Sequence, residues 1–570
     1  MRIAILVFVL SFSLCLNLAY ITWGLPGLWH PDEITHRSVG LVVDQTMNPH
    51  FFAYPSLHIY LIALLVVLPY SFVQDLSLPG LLPDLTLYSR ALTAVMGTLT
   101  VFVVYLIARR MFDRTAGVLA AMFLAITAGF IGLSHFATTD IPLTFWMALA
   151  FYCCLLALEE DTTYRYMMAG FVLGLAISTK YTAVLLLPTL LLAYFLNTRA
   201  SKQSAVSRIF NKRIFLLMFA VFLGFVLGTP YAILTPISFL HDFIALNLYQ
   251  STYGGIGGRG FVPHLENLFE IFGPFLFLAA VLGFFYILYL LVKNRRPDYL
   301  LLLISIIVIY LKMGNMMFYP SRYIVIVVPL LAVCAGKLFS DVISASANVT
   351  IARNIVWGIL SAGVAFSTYY CLAGIAEIKN DDRVLAHNWV LTHIAKSDTV
   401  EMTPAAINIP DGYRTFTSIP YSHYKETYHR MRASPLYQSL KRVERQILTL
   451  LQEKKVEQHE PVRIAVSEEQ KEPSEASLDA LLKRKPKYLL LAERSYLRFL
   501  SEQQKGSEYF PLQHELYSAI LSGKTPYRLV ADFRKHDNWT TPQWEFINAG
   551  ISIYEYPEAQ EVSQGVGLSR

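Results

Sequence analysis

Asp32 and Glu33 stand side by side in "WHPDEITHR", just beyond the first long apolar run. Adjacent carboxylates at a membrane surface have three readings. They are a general base, metal ligands, or an ordinary helix start with proline and acids in the first turn. From these residues alone all three stay open. Asp140 and His135 share a short hydrophilic break, "SHFATTDIP". Ionisable groups at a bilayer edge are costly unless they face water or a partner. A lone histidine is ordinarily a satisfied surface residue, and Asp140 before Ile-Pro also fits a helix cap. Lys180 interrupts "GFVLGLAISTKYTAVLLLP", where its ammonium either snorkels to the interface or meets an anionic headgroup. Arg259 lies in a segment with five glycines in seven positions. That segment suits a mobile lid; it lacks the Gly-Lys-Ser/Thr ending of a phosphate loop. Arg322 sits in "FYPSRY", and arginine is the usual fork for a phosphate. Acids beside bases at a lipid–water boundary suit one chemistry well. Cations hold a lipid-linked phosphate while a carboxylate deprotonates an incoming hydroxyl.

The elements that carry these residues follow from composition. The 570-residue chain is 55% hydrophobic, with 15% charged residues and a mean hydropathy of +0.44, against about 25% charged in a soluble domain. That excludes a disordered chain, a fibre and an ordinary soluble enzyme. Residues 1–376 hold 21 Lys+Arg and 15 Asp+Glu, and 377–570 hold 26 of each. The net charge of +6 therefore falls in a membrane-like part, and a nucleic-acid patch is not expected. Five cysteines, with no metal-ligand spacing, exclude a disulfide scaffold. No internal repeat is visible.

Runs able to cross a bilayer (about 20 residues) lie near 3–22, 88–108, 116–134, 141–158, 214–234, 268–292, 298–311, 324–339 and 354–375. The stretch 167–196 reads as two short helices meeting at Lys180, which gives about eleven spans. The positive-inside rule decides parity. With 56–73 as a juxtamembrane or re-entrant segment, one side receives fifteen Lys+Arg and the other six. The N-terminus is then cytoplasmic, and residues 1–22 read as an anchor rather than a cleaved signal. Loops 23–87, 135–140, 235–267 and 312–323 face outward, with a soluble extracytoplasmic domain at 377–570. That domain alternates strand-like runs at 463–466 and 488–492 with a helical stretch at 434–454 and a solvated loop at 467–476, an α/β or α+β pattern.

The sequence resembles the GT-C class of polytopic glycosyltransferases, in particular the group of protein O-mannosyltransferases and lipid A aminoarabinose transferases. The matching motifs, in order, are "HPDE" (30–33), "YPSLHIYLIAL" (54–64), "RALTAVMGTLTVFVVYLIARRMFDRTAGVLAA" (90–121), "HFATTDIPLTFW" (135–146), "GFVLGLAISTKYTAVLLLP" (170–188) and "SRYIVIVVPLLA" (321–332). The resemblance covers roughly 1–376 and implies a polyprenyl-phosphate sugar donor, transfer with inversion on the outer side, and Asp32 as general base. Glu33 is then its partner or a metal contact, and Asp140 is the second-loop acid. Some relatives hold a divalent metal near the first-loop acids, which makes Asp32, Glu33 and Asp140 the candidate ligands. "YPSL" departs from the family in placing Ser56 where a second proline is usual. The basic residue some relatives carry before this motif is also missing, which leaves Lys180, Arg259 and Arg322 for the donor phosphate. The expected partners are the lipid donor, a lipid, glycan or protein acceptor, and membrane lipids. The absence of a β-trefoil insertion favours a bacterial inner membrane. Two other classes compete. A flippase or transporter would carry paired half-helices and charges near the midplane. A non-catalytic assembly protein would leave Asp32 and Asp140 dispensable.

Overall fold

The computed structural model describes residues 2–76, 80–198, 211–253, 259–316, 319–403, 414–417, 477–501, 510–535 and 547–557, with a few isolated positions such as Trp544. It is a polytopic helical membrane protein with a small mixed α/β unit near the C-terminus. Among the described residues, seven helical segments are long and apolar enough to cross a membrane. They are Leu81–Met111, Asp140–Glu159, Tyr181–Thr198, Phe261–Asn294, Pro297–Gly314, Ser321–Ser346 and Thr350–His393. A bent pair, Arg114–Ala125 and Ala128–Ser134, makes an eighth, broken by 63°. The other apolar helices among the described residues are shorter. Arg2–Leu18, Thr163–Ile177 and Lys212–Gly228 have 17, 15 and 17 residues. The segment 56–73 becomes an apolar helix over Leu57–Ser71 with a π-turn at Ala63–Val67.

Local chemistry sets several boundaries. Asp113 accepts the Thr115 and Ala116 N–H groups at 2.7 and 2.9 Å and so caps Arg114–Ala125. Asn211 caps Lys212–Gly228 in the same way. In Phe261–Asn294 the kink falls at Gly273, whose φ of +72° suits glycine, followed by Pro274. A Cβ there would meet the Tyr370 ring at 2.8 Å. Thr163–Ile177 and Lys212–Gly228 touch backbone to backbone through Gly174 and Gly224, since a Cβ on either would strike the other helix's main chain. One continuous core joins these helices through Phe123, Phe151, Tyr166 and Tyr194, while Phe215, Leu227, Val292 and Ile351 stay exposed.

Among the described residues, the C-terminal unit holds a five-stranded sheet in the order β2-β1-β3-β5-β4. Its strands are β1 Thr399–Met402, β2 Arg414–Thr417, β3 Tyr488–Ala492, β4 Arg528–Asp532 and β5 Ile551–Glu555. β1 runs parallel to β2 and β3, and β5 runs antiparallel to β3 and β4. Alternation along β3 divides two cores. Leu490 and Ala492 pack with Ala386 and Val390 of Asp382–His393, while Leu489 and Leu491 pack with Tyr496, Phe499 and Tyr517. The run 463–466, the loop 467–476 and most of the stretch 434–454 lie outside the described residues.

The outer loop expected over 235–267 is largely helical, with Pro236–Tyr253 and then Phe261 onward. Asp242 on the first of these helices accepts the Phe52 N–H at 2.9 Å and so braces the first loop. Gly254–Gly258, the core of the expected lid, lie outside the described residues.

Candidate active site

The two ends of the bundle differ in kind. At one end exposed pairs link Arg110 to Glu159, Arg165 to Glu160 and Arg213 to Asp161. Such pairs are worth about 0–1 kcal/mol each. Asp140 opens the helix that Glu159 closes, so the other end lies about 30 Å away, at 1.5 Å per residue. There the polar residues are buried and interlocked.

Asp32 pairs with Arg322 at 3.0 Å, and Asp140 with Lys180 at 2.7 Å. Lys180 Nζ also lies 4.8 Å from the Tyr323 ring centroid and 5.9 Å from that of Tyr54. Tyr54 is flanked by both carboxylates; burial, then Asp32, Asp140 and Tyr323, push its phenol well above the usual range. Of the two acids Asp32 is the accessible one, its side chain 26% exposed against 4% for Asp140. Asp140 stands in the first turn of Asp140–Glu159, with Thr139 as the cap residue, so its carboxylate meets Lys180 rather than capping the helix.

Glu33 has a different task. Both its oxygens take the Arg90 guanidinium, at 2.6 and 2.9 Å, and Oε1 also accepts the Ala137 N–H at 3.0 Å. Arg90 is fully buried and donates to the Ile21 and Trp23 carbonyls, each at 2.6 Å. This fork ties the loop of Asp32 to the loop of Asp140, and the backbone adds Ile34 N–H to the Ala137 carbonyl at 3.1 Å. The signal for Arg90 was an arginine far from the basic last turn of a 31-residue apolar helix, which demands a partner.

His30 is buried against Phe136, its ring 4.4 Å away, and its Nδ1 accepts the Asp32 N–H at 3.2 Å. Burial, then Arg322, Arg90 and Arg383, hold its pKa well below 6.5. His135 sits with its ring nitrogens 2.7 Å from the Ile131 and Ala19 carbonyls and packs on Trp544. It is a tether between helices, outside the Asp32–Asp140 cluster. Arg259 is exposed where Phe261–Asn294 begins. Ser56, the departure from the family motif, donates its N–H to Thr229 Oγ1 at 3.2 Å, a bond proline could not make.

The three candidate metal ligands do not converge. Asp32, Glu33 and Asp140 each face a separate cation, and among the described residues no group of three His, Cys, Asp or Glu side chains could hold a metal.

Comparison with solved structures returns membrane enzymes at low identity. ArnT from Cupriavidus metallidurans bound to undecaprenyl phosphate is 14% identical, with 98% of each chain covered and a TM-score of 0.46. AglB, the oligosaccharyltransferase of Archaeoglobus fulgidus, in complex with an inhibitory peptide and a dolichol-phosphate, is 14% identical over 90% of this chain and 72% of its own, at 0.49. The apo form of the Archaeoglobus fulgidus oligosaccharyltransferase is 14% identical over 71% of this chain, at 0.45, and this chain spans 62% of its length. No curated protein matches. The stretch that holds Arg90, Asp140 and Lys180 is the informative one: residues 85–228 match the family model described as dolichyl-phosphate-mannose-protein mannosyltransferase, and over that span it is this family that the chain is similar to.

Proposed function

We propose that this integral membrane protein is a glycosyltransferase that moves a sugar from a polyprenyl-phosphate-linked donor to an acceptor on the extracytoplasmic side. The observation that carries the reading is the opposed pair of ion pairs, Asp32–Arg322 and Asp140–Lys180, at one end of the bundle. It is supported by the mannosyltransferase family match across 85–228. Asp32 is the general base: it takes the proton of an acceptor hydroxyl or amine as that atom bonds to the anomeric carbon. The carbon–oxygen bond to phosphate breaks with inversion, and the electron pair leaves on the polyprenyl phosphate. Arg322 and Lys180 face that developing charge, and Asp140 holds Lys180 in place. Glu33 and Arg90 hold the base-bearing loop. No step runs through a metal. The dense Lys+Arg count of the opposite loops supports an N-terminus on the cytoplasmic side, and an inner bacterial membrane is the proposed location.

The test is mass spectrometry of lipids co-purified with wild-type protein and Asp32→Asn in mild detergent. A polyprenyl-phosphate sugar enriched on the variant, with product formation lost, is expected. Bulk phospholipid alone on both proteins would sink the donor assignment.

A further inference from the structure

The C-terminal unit grips the loop that carries Asp32. Arg383 donates from Nε and Nη2 to the two oxygens of Asp381, each at 2.9 Å. Its guanidinium lies 4.8 Å from the Trp23 ring centroid and 5.0 Å from that of Trp29. The two indoles meet edge-on at 5.7 Å, and Trp23 Nε1 donates to Asp381 Oδ2 at 3.0 Å. Asp381 is fully buried and Arg383 is 2% exposed. Asp381 and Asp382 are fixed in turn by the lead-in to β5. Asn548 N–H donates to Asp381 at 3.1 Å, and Ala549 N–H to Asp382 at 2.9 Å.

Trp29 is followed at once by His30, Pro31 and Asp32. The segment from Trp23 to Glu33 thus has two anchors. Arg90 holds the Trp23 carbonyl and the Glu33 carboxylate from the membrane side. Arg383 holds both indoles from the other. A planar guanidinium clamped to a carboxylate and set against two rings fixes where both rings lie. Displacing a catalytic group by about 1 Å costs on the order of 100-fold in rate, so an anchor three residues from Asp32 acts on turnover. We infer that Arg383 is a positioning residue, through which the seating of the C-terminal unit on Trp23 and Trp29 sets the place of Asp32. This rests on the reading of Asp32 as the base.

The experiment compares full-length wild type, Arg383→Lys and Trp29→Phe in nanodiscs. The probe is undecaprenyl-phosphate mannose, with membranes supplying acceptor and release of undecaprenyl phosphate as the readout. Hydrogen exchange over residues 24–34 is measured alongside. Arg383→Lys keeps the charge and loses the planar fork. The expected result is a kcat lowered on the order of 10- to 100-fold, a donor KM within about twofold, and faster exchange over 24–34. Arg534→Ala, which breaks the Asp532 pair on β4, should match wild type. Unchanged kcat, or unchanged exchange over 24–34, overturns the inference. If Arg383→Lys fails to fold, Trp29→Phe decides by the same readouts. A wild type that releases nothing while Arg383→Lys loosens 24–34 would remove the proposed activity and leave the anchoring standing; without that loosening both fall.

Discussion

At the scale of single residues the site is built from charges that cancel in pairs. Lys180 and Asp140 are nearly buried, 11% and 4% exposed. Removing one partner of such a pair costs about 3–5 kcal/mol, whereas replacing both with apolar groups is far milder. Lys180→Met should therefore lower thermal stability sharply, and Lys180→Met with Asp140→Leu should recover most of it while activity stays lost. A double-mutant cycle in detergent checks this, and simple additivity would refute the pairing. His30 gives a pH signature. Its folded pKa lies below the unfolded value of 6.5, so the unfolded chain binds the extra proton. Stability is retained above pH 6.5 and falls as pH drops below it, by up to about 1.4 kcal/mol per unit for this one group. His30→Gln should flatten the fall of Tm between pH 7 and 5.

At the scale of elements, close approach decides which helices can be neighbours. Thr163–Ile177 and Lys212–Gly228 pack through Gly174 and Gly224, and that contact helps seat Ser178, whose hydroxyl bonds Thr229 at 2.6 Å. The Ser178 carbonyl then accepts the Leu57 N–H at 3.0 Å. Gly174→Leu overfills this contact and should cost about 1–3 kcal/mol. Thermal unfolding combined with size-exclusion chromatography reads the loss; an unchanged Tm would mean that the two helices do not approach this closely.

At the scale of the molecule, the C-terminal unit and the helices form one structure. Trp544 is 6% exposed and packs on Gly132 of the bent span and on Gly374. It joins Trp23, Phe136 and Tyr370 in a shared cluster. Trp544→Ala should cost about 3–5 kcal/mol and make the C-terminal unit more sensitive to limited proteolysis at an unchanged number of cleavage sites in the helices. A proteolysis rate equal to wild type would separate that unit from the cluster.

Much of this was legible in the residues themselves. Hydrophobic run length is a local property, so the helices Leu81–Met111, Asp140–Glu159 and Phe261–Asn294 follow from it, as does the break at Lys180. Charge content is likewise local and differs between residues 1–376 and 377–570, and the chemically loaded residues stand out because polar groups are rare among apolar ones. The shape of the spans was less legible, because run length does not reveal where a helix bends, as between Ala125 and Ala128. Partner choice was not legible at all. That Asp32 meets Arg322, that Glu33 turns to Arg90, and that Trp23 meets Asp381 across 358 residues depends on which helices pack together. A side chain's sequence neighbours set its local element, but only the packed bundle fixes which distant charge comes within about 3 Å. The sequence by itself determined that this is a polytopic helical membrane protein and which residues are available for chemistry, because hydropathy and polarity are properties of short stretches. Only the tertiary structure decided which acid is exposed and which is locked away, because burial and pairing belong to the assembled helices.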